Sequence, residues 1–199
     1  MEDGQGTAPT TLDELCGRLS LAFDRDSGGA GVAGLLGAYA GGAADWSSLL
    51  WFDREQYTRN LLHRTGDYEL LLLCWDRGQA SPIHDHAGQS CWMAVLDGLV
   101  EEVHYRPCAP GGAGPLTPGR SRRYETGQVA FIDDDIALHL IRPARDRGVT
   151  LHLYSRPIDS CRIYDPRAGA SRRVDLGYHS VRGKPCSADP VQVRRAYTF

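Results

Sequence analysis

The chain has little of what marks a secreted, membrane-spanning or nucleic-acid-binding protein. No stretch is long and apolar enough to cross a bilayer. The first residues, MEDGQGTAPTT, lack the basic segment followed by an apolar one that makes a secretory signal. The formal net charge of −3 leaves no basic surplus for nucleic acid or an acidic membrane surface. We therefore expect a cytoplasmic protein with no nucleic-acid partner and no membrane partner.

Paired cysteines are also missing. None of the six cysteines forms a CxxC pair, and nothing in their spacing requires a disulfide. Without a secretory signal we expect a reducing compartment, where most cysteines are small buried hydrophobic residues. Cys74, inside the run LLLLCW, fits that description. Cys91 fits it less well, because it follows closely on two histidines.

The first third of the chain, from about residue 10 to about residue 65, has the pattern of a helical segment. Thr11 begins a capping box ahead of apolar residues at helical spacing, and a second short helix follows a glycine-rich break. Asp53 is a candidate cap for a third helix that would carry Tyr57 and Arg59.

The remainder of the chain, from about residue 66 to about residue 185, has the texture of a β-barrel or sandwich. Short apolar runs alternate with clusters of Gly, Pro and Asp, which is typical of antiparallel architectures. Residues 106–120 are rich in Pro and Gly and are predicted to form an exposed loop, and residues 186–199 a terminal tail. With no internal repeat, all 199 residues are assigned to a single domain.

The strongest signal of chemistry is the sequence His84-Asp-His86. Histidines at alternate positions of an extended chain point to the same side of a strand, so two imidazoles can converge on one metal ion. Gly78 and Gly98 bracket the segment as strand punctuation. The stretch therefore predicts part of a metal site and leaves open which residues complete it.

The surroundings of these histidines are similar to the first motif of the cupin superfamily. The matching pattern is Gly78-x5-His84-x-His86-x4-Cys91-x6-Gly98, with Cys91 at the place usually held by Glu. The second cupin motif supplies a further histidine, for which His139 is the candidate. The resemblance implies a mainly β fold, a cupin double-stranded β-helix (jelly-roll-like) barrel preceded by N-terminal helices.

A narrower family is more similar still. From about Tyr57 to about His179, the order and spacing of several motifs resemble those of the eukaryotic-type cysteine dioxygenases. These motifs are Tyr57-Thr-Arg59-Asn, Ile83-His-Asp-His86, Cys91, Asp135-Ile-Ala-Leu-His139, Leu151-His-Leu-Tyr154-Ser and Ile158-Asp-Ser-Cys161.

The resemblance implies a metal, a pair of substrates and a product. It makes His84, His86 and His139 the ligands of one Fe(II) ion per chain. Neutral imidazoles suit Fe(II), and a facial set of three leaves positions open. The implied reaction oxidises L-cysteine with O2 to L-cysteine sulfinic acid, a step of cysteine catabolism. We expect the enzyme to act as a monomer.

The resemblance also implies roles for residues near the substrate. Arg59 is expected to bind the substrate carboxylate through two charge-assisted hydrogen bonds, with Tyr57 supporting that contact. The resemblance implies that Cys91 and Tyr154 are the two halves of a thioether cross-link. It also implies that Tyr154 belongs to the catalytic group and lies beside the substrate.

His152 completes the catalytic group. Two residues from Tyr154, it lies on the same side of a strand and is expected to hydrogen-bond the tyrosine hydroxyl. Thr150 is expected to continue this relay, and Cys161 to lie near the pocket. The remaining histidines, at positions 63, 104 and 179, are expected to be structural or exposed.

Other functions remain open at this point. A thiol dioxygenase could act on 3-mercaptopropionate or on cysteamine, and a non-catalytic cupin could bind metal without turnover. Three histidines also suit zinc or nickel, as in cupin isomerases. Arg59 speaks against cysteamine, which has no carboxylate for it to bind. The resemblance implies cysteine over 3-mercaptopropionate, because family members that act on that thiol commonly have Gln at the place of Arg59.

Overall fold

The structure is a computed structural model that describes residues 7–26, 28–108 and 114–186. Two α-helices come first, α1 (Leu12–Arg25) and α2 (Val32–Gly42), followed by a 3-10 turn (Asp45–Leu49). The Thr11 hydroxyl accepts the backbone N–H of Glu14, so the predicted cap is confirmed. Of the predicted tail, residues 187–199 lie outside the described residues.

Strands make up most of the rest of the described chain. They are β1 (Thr58–Arg64), β2 (Tyr68–Trp75), β3 (Ile83–His84), β4 (Cys91–Pro107), β5 (Leu116–Glu125), β6 (Val129–Ile132), β7 (Leu138–Ser155), β8 (Ser160–Tyr164), β9 (Ser171–Asp175), β10 (Ser180–Val181) and β11 (Lys184–Pro185).

The prediction of a third helix after Asp53 was wrong. The Asp53 side chain accepts the backbone N–H of Glu55 in a turn, and the chain then enters β1. β1 pairs antiparallel with β2 and parallel with β10. These long-range pairings decide the conformation, because propensity over a few residues is weak beside the hydrogen bonds of two flanking strands. The helical part therefore ends well before residue 65.

The barrel is organised around β4 and β7, the two longest of the described strands. They pair antiparallel over most of their lengths. Along its other edge β7 pairs with β2 at one end and with β3 at the other. The double-stranded β-helix barrel predicted from the sequence is confirmed, with its helices packed on one outer face.

The predicted loop at 106–120 proves to be shorter. β4 continues to Pro107 and β5 begins at Leu116, so the two strands extend their pairing into the Pro- and Gly-rich stretch. β5 pairs with β4 alone among the described strands, and an edge strand tolerates proline because its outward N–H groups need no partner. Among the described residues, no helix is long and apolar enough to cross a membrane.

Strand β2 separates two cores. Tyr68, Leu70, Leu72 and Cys74 face the layer beneath α1 and α2, whereas Leu71, Leu73 and Trp75 face the barrel interior. Alternate residues of a strand point to opposite faces, and both faces of β2 are buried. This is why the run LLLLCW is apolar without alternation. The interior side of β2 forms one wall of the site described next.

Candidate metal centre and its pocket

Three histidines meet at one end of the barrel. His84 ends β3 and His139 lies directly opposite it on β7. His86 lies beyond the two-residue strand β3, in the turn that follows, so only part of the predicted histidine stretch is strand. The Nε2 atom of His139 lies 3.2 Å from Nε2 of His84 and 3.1 Å from Nε2 of His86. The predicted trio therefore converges on one point.

The convergence fits a metal ion. Two nitrogen ligands at a right angle, each about 2.1 Å from a metal, are separated by about 3 Å, as these are. Burial lowers the pKa of His84 to about 3, and burial together with the neighbouring histidines holds the pKa of His139 well below its usual value. Neutral imidazoles whose lone pairs face each other can share one cation between them. The three side chains could hold one metal ion.

Hydrogen bonds at Nδ1 of His84 and of His139 leave the Nε2 lone pairs of both rings facing the point where the histidines meet. His84 Nδ1 donates to the carbonyl of Pro82 at 2.9 Å, because a carbonyl oxygen can only accept. His139 Nδ1 donates to Glu102 Oε1 at 2.8 Å for the same reason. Nε2 is thereby left unprotonated on both rings, and such outer contacts hold metal ligands in orientation.

Glu102 was not identified from the sequence. It lies on β4 with only 3% of its side chain exposed, and its Oε2 accepts the Tyr124 hydroxyl at 3.1 Å. His104 Nε2 is 3.4 Å from the same oxygen, so a histidine predicted to be structural or exposed borders this network. In sequence, Glu102 stands in an ordinary strand pattern, and the signal that it faces inward is its register opposite β7.

Asp134 was also missed. Its carboxylate accepts the backbone N–H groups of His86 and Gly88, both at 2.6 Å, and lies 3.5 Å from His86 Nδ1. Burial raises its pKa, but the hydrogen bonds from His86 and Gly88 outweigh burial and lower it. Asp134 thus holds the turn that carries the second histidine. The run of three aspartates shortly before His139 was the available signal.

A pocket of about 420 Å³, including its open mouth, borders His84. Its wall contains six of the residues singled out from the sequence: Tyr57, Arg59, His84, His152, Tyr154 and Cys161. Leu73, Trp75 and Ile158 add apolar surface to the same wall. The structure therefore brings distant sequence motifs into one cavity.

Arg59 reaches this pocket from β1 and is 4% exposed. Its guanidinium carbon lies 5.8 Å from the centroid of the Tyr154 ring. Its backbone N–H donates to His179 Nδ1 at 3.0 Å, and its carbonyl accepts the N–H of His179 at 2.8 Å. His179, which we predicted to be structural or exposed, thus holds the backbone of Arg59.

Cys91 and Tyr154 lie directly opposite each other on β4 and β7. Both are buried, and burial raises the pKa of the Cys91 thiol and of the Tyr154 hydroxyl. The charge of Arg59 acts in the opposite direction on both groups. The strand register therefore places the two halves of the predicted cross-link side by side.

His152 is held in place by a chain of hydrogen bonds through Thr150 to Trp75. Trp75 Nε1 donates to Thr150 Oγ1 at 2.9 Å, and this oxygen is 2.9 Å from His152 Nε2. Because the indole only donates, the threonine hydroxyl can give its own proton to Nε2, which leaves Nδ1 protonated. Nδ1 lies 4.0 Å from Cys91 Sγ. The rings of His152 and Tyr154 are 6.3 Å apart, and the hydroxyl bond between them stays a prediction.

Comparison with known proteins finds relatives that match most of this chain in sequence. The model of the family described as cysteine dioxygenase type I matches residues 1–167. Cysteine dioxygenase type 1 of Danio rerio is 34% identical over 189 residues, covering 92% of this chain and 94% of that protein. The proteins of that name from Rattus norvegicus and Homo sapiens are 33% and 32% identical over 187 residues, covering 92% of this chain and 93% of each. A solved double-stranded β-helix domain from Klebsiella pneumoniae covers 57% of this chain and 83% of its own, with 13% identity and a TM-score of 0.45.

Proposed function

The chain belongs to the cysteine dioxygenase type I family, and on this premise we propose that it oxidises L-cysteine with O2 to L-cysteine sulfinic acid, using one Fe(II) ion bound by His84, His86 and His139. Both oxygen atoms are added to sulfur. The observation that carries the proposal is the convergence of three inward-facing imidazoles beside a pocket that one of them, His84, lines together with the buried Arg59.

The donor set supports Fe(II) as the metal. Imidazole nitrogens suit divalent first-row metals, and three of them on one side leave room for substrate. An iron(II) ion bound there would supply coordination of the substrate thiolate and activation of O2. The protein's part is to position the substrate and to exclude water from the pocket, whose apolar wall includes Leu73 and Trp75.

Arg59 is the proposed partner of the substrate carboxylate. A guanidinium binds a carboxylate through two parallel hydrogen bonds, which fix orientation as well as position. The two backbone hydrogen bonds with His179 hold the strand that carries Arg59. Tyr57 lines the same pocket and stacks on Trp75 at a centroid distance of 4.5 Å, so it is held in place to support the contact.

Tyr154, Cys91 and His152 form the proposed catalytic group beside the sulfur. The tyrosine orients its hydroxyl toward the reacting atoms, and His152, kept in one tautomer by Thr150, holds a proton at Nδ1. Cys161 shapes the pocket wall as a neutral thiol, because burial raises its pKa to about 12.

A thioether between Cys91 and Tyr154 would fix the phenol in one conformation. Forming the bond from Sγ to a ring carbon removes one hydrogen atom from the thiol and one from the ring. O2 is the oxidant, and it is reduced to hydrogen peroxide. The strand register supports this reaction, because the two residues are directly opposite each other.

Substitution of Cys91 by serine tests the cross-link. We expect Cys91→Ser to keep its metal and to lose about tenfold or less in turnover, which corresponds to about 1.4 kcal/mol of activation free energy. Intact-protein mass should show the loss of two hydrogen atoms in the wild type and in Cys108→Ser, an exposed-thiol control, but not in Cys91→Ser. Loss of the metal instead would make Cys91 a ligand.

The substrate can be tested with three thiols offered in parallel. Protein loaded with Fe(II) under argon is mixed with O2 and with L-cysteine, 3-mercaptopropionate or cysteamine. We expect the highest kcat/KM with L-cysteine, and one O2 consumed for each sulfinate formed. A preference for cysteamine would contradict the role of Arg59. Bound iron without sulfinate from any thiol would leave a non-catalytic metal-binding cupin.

We also propose that residues 1–199 act as a single-domain, cytoplasmic monomer. All six cysteines are described and free, which suits a reducing compartment. Light scattering coupled to gel filtration measures the mass in solution, and a dimer mass would contradict the monomer.

A further inference from the structure

A buried carboxylate, Glu69, lies at the pocket side of strand β2. It is fully buried. Because alternate residues share one face of a strand, Glu69 continues the row formed by Leu71, Leu73 and Trp75, the last two of which line the pocket. Its register partner on β7 is Tyr154. The strand therefore presents an anion beside the residues proposed to bind substrate.

Both oxygens of this carboxylate are in use. The Tyr178 hydroxyl donates to Oε2 at 2.6 Å, and the backbone N–H of Ile158 donates to Oε1 at 3.3 Å. Ile158 itself lines the pocket. The pKa of Tyr178 is raised to about 12 by burial and by its contact with Glu69, as expected for a donor to a carboxylate. Glu69 thus holds two segments beside the pocket: the segment after β7, which contains Ile158, and the segment after β9, which contains Tyr178.

Two cations share the charge of Glu69. Arg59 Nη2 lies 3.7 Å from Oε1, and Arg64 Nη1 lies 3.5 Å from Oε2. Arg64 is one-third exposed and also pairs with Asp159 at 2.8 Å, so solvent and a second carboxylate weaken its share. Arg59 and Glu69 are both buried, and the interaction between buried charges is screened far less.

We propose that Glu69 is a positioning residue that sets how strongly Arg59 holds carboxylates. This inference rests on the proposed function of the same site. The negative charge behind the guanidinium opposes the attraction that Arg59 exerts on a substrate carboxylate in front of it. The same balance acts on the product, which keeps the carboxylate and gains an anionic sulfinate. An unopposed Arg59 would bind both more tightly and would release product more slowly.

The charge role and a purely structural role predict opposite results. If Glu69 only anchors the pocket wall, its loss loosens the wall and weakens the binding of every thiol. If its charge opposes Arg59, Glu69→Gln binds carboxylates more tightly and leaves a thiol without a carboxylate unchanged. Cysteamine is that thiol, and cysteine sulfinic acid is a second probe with the carboxylate.

The experiment measures binding to iron-loaded protein under argon by calorimetry. For Glu69→Gln we expect the Kd of L-cysteine to fall about tenfold and that of cysteamine to stay within about twofold. We expect the Kd of cysteine sulfinic acid to fall by a similar factor. Unchanged or weaker L-cysteine binding by the folded variant would overturn the proposal.

Two further variants complete the test. Tyr178→Phe removes the shortest hydrogen bond to Glu69 and keeps its charge, so it should not tighten L-cysteine binding; tightening equal to that of Glu69→Gln would overturn the charge mechanism. Glu69→Asp draws the carboxylate back from Arg59 and should tighten binding in the same direction by less, which keeps the proposal testable if the glutamine variant does not fold.

The proposed function is tested separately, by exposing the same iron-loaded protein and L-cysteine to air and measuring sulfinate. If the wild type forms no sulfinate from L-cysteine, the proposed function fails. The anaerobic Kd values still decide the role of Glu69.

Discussion

The two faces of strand β2 differ in what they bury. Toward the helices, the strand contributes Leu70 and Leu72 to a layer built almost wholly from apolar side chains. Toward the barrel interior, the same strand contributes Leu73 and Trp75 to the pocket, and this side of the strand also has buried histidines, carboxylates and an arginine around it. Eight consecutive residues thus separate a region that stabilises the fold from a region arranged for chemistry.

The difference has an energetic meaning. Burial of apolar surface stabilises the helical layer by about 25 cal/mol per Å². Buried ionisable groups destabilise the pocket layer unless each is paired or hydrogen-bonded. The partners of Glu69 and Glu102 meet that condition, so substitutions on the two sides of β2 should act on different quantities.

The largest effect is expected from removing a candidate metal ligand. A four-ligand zinc site is worth about 10–16 kcal/mol, so one ligand accounts for roughly 3 kcal/mol, or about a hundredfold in affinity. His139→Ala should therefore lose bound metal on gel filtration and should form no detectable sulfinate. Metal analysis and a sulfinate assay measure the two effects.

His63→Ala is the matched control, because His63 lies on β1 beside Tyr68 of the helical layer. It should keep both metal and activity. Equal loss in the two variants would show that the two layers are not separate.

Replacement of Arg59 should give the next largest effect. Two charge-assisted hydrogen bonds of about 1.5–3 kcal/mol each exceed what glutamine can replace, so kcat/KM for L-cysteine should fall about a hundredfold in Arg59→Gln. Activity with cysteamine should change little. Arg142→Gln, an exposed arginine paired with Glu101, serves as control. Parallel loss with both thiols would contradict carboxylate recognition.

The third effect concerns the hydrogen bond between Nδ1 of His139 and Glu102. Glu102→Gln keeps the size of the side chain but weakens the acceptor for Nδ1, and such outer contacts are worth about 10–100-fold in metal affinity. We expect that loss in a competition titration with a chelator, with most activity restored at saturating iron. The neighbouring Glu101→Gln should show neither change, because Glu101 pairs with Arg142 and Arg123 outside the metal centre.

The sequence was informative where the signal is local. The apolar runs predicted the β-strands, because strand alternation needs no long-range information. The histidine pair indicated the candidate metal centre, and the resemblance to the second cupin motif added His139 to it. Arg59 was assigned its role through family resemblance although its secondary structure was predicted incorrectly. β1 is a strand because of β2 and β10, neither of which a single segment can reveal.

The carboxylates show what the sequence could not predict. Glu69 and Glu102 stand in strands where a glutamate ordinarily faces solvent. Their burial depends on register, Glu69 opposite Tyr154 and Glu102 opposite Ile141, and register is fixed by turns and packing across the whole barrel. The contact of His179 with Arg59 was not predicted for the same reason, because the two residues are 120 positions apart in sequence.

The smallest effect on activity should come from the helical side of β2. Leu72→Ala removes a fully buried side chain from the apolar layer and should lower the free energy of unfolding by about 2–4 kcal/mol. Below its melting temperature it should keep the kcat/KM of the wild type, because no atom of Leu72 lines the pocket. The next residue, Leu73, lines the pocket, so Leu73→Ala should raise KM. It should lower the free energy of unfolding by less than Leu72→Ala does, because the space left by the leucine side chain merges with the open pocket. Urea unfolding and steady-state kinetics on the pair separate the two quantities. If Leu72→Ala changed KM as much as Leu73→Ala, β2 would be transmitting strain between its faces, and the two layers would have to be treated as a single unit.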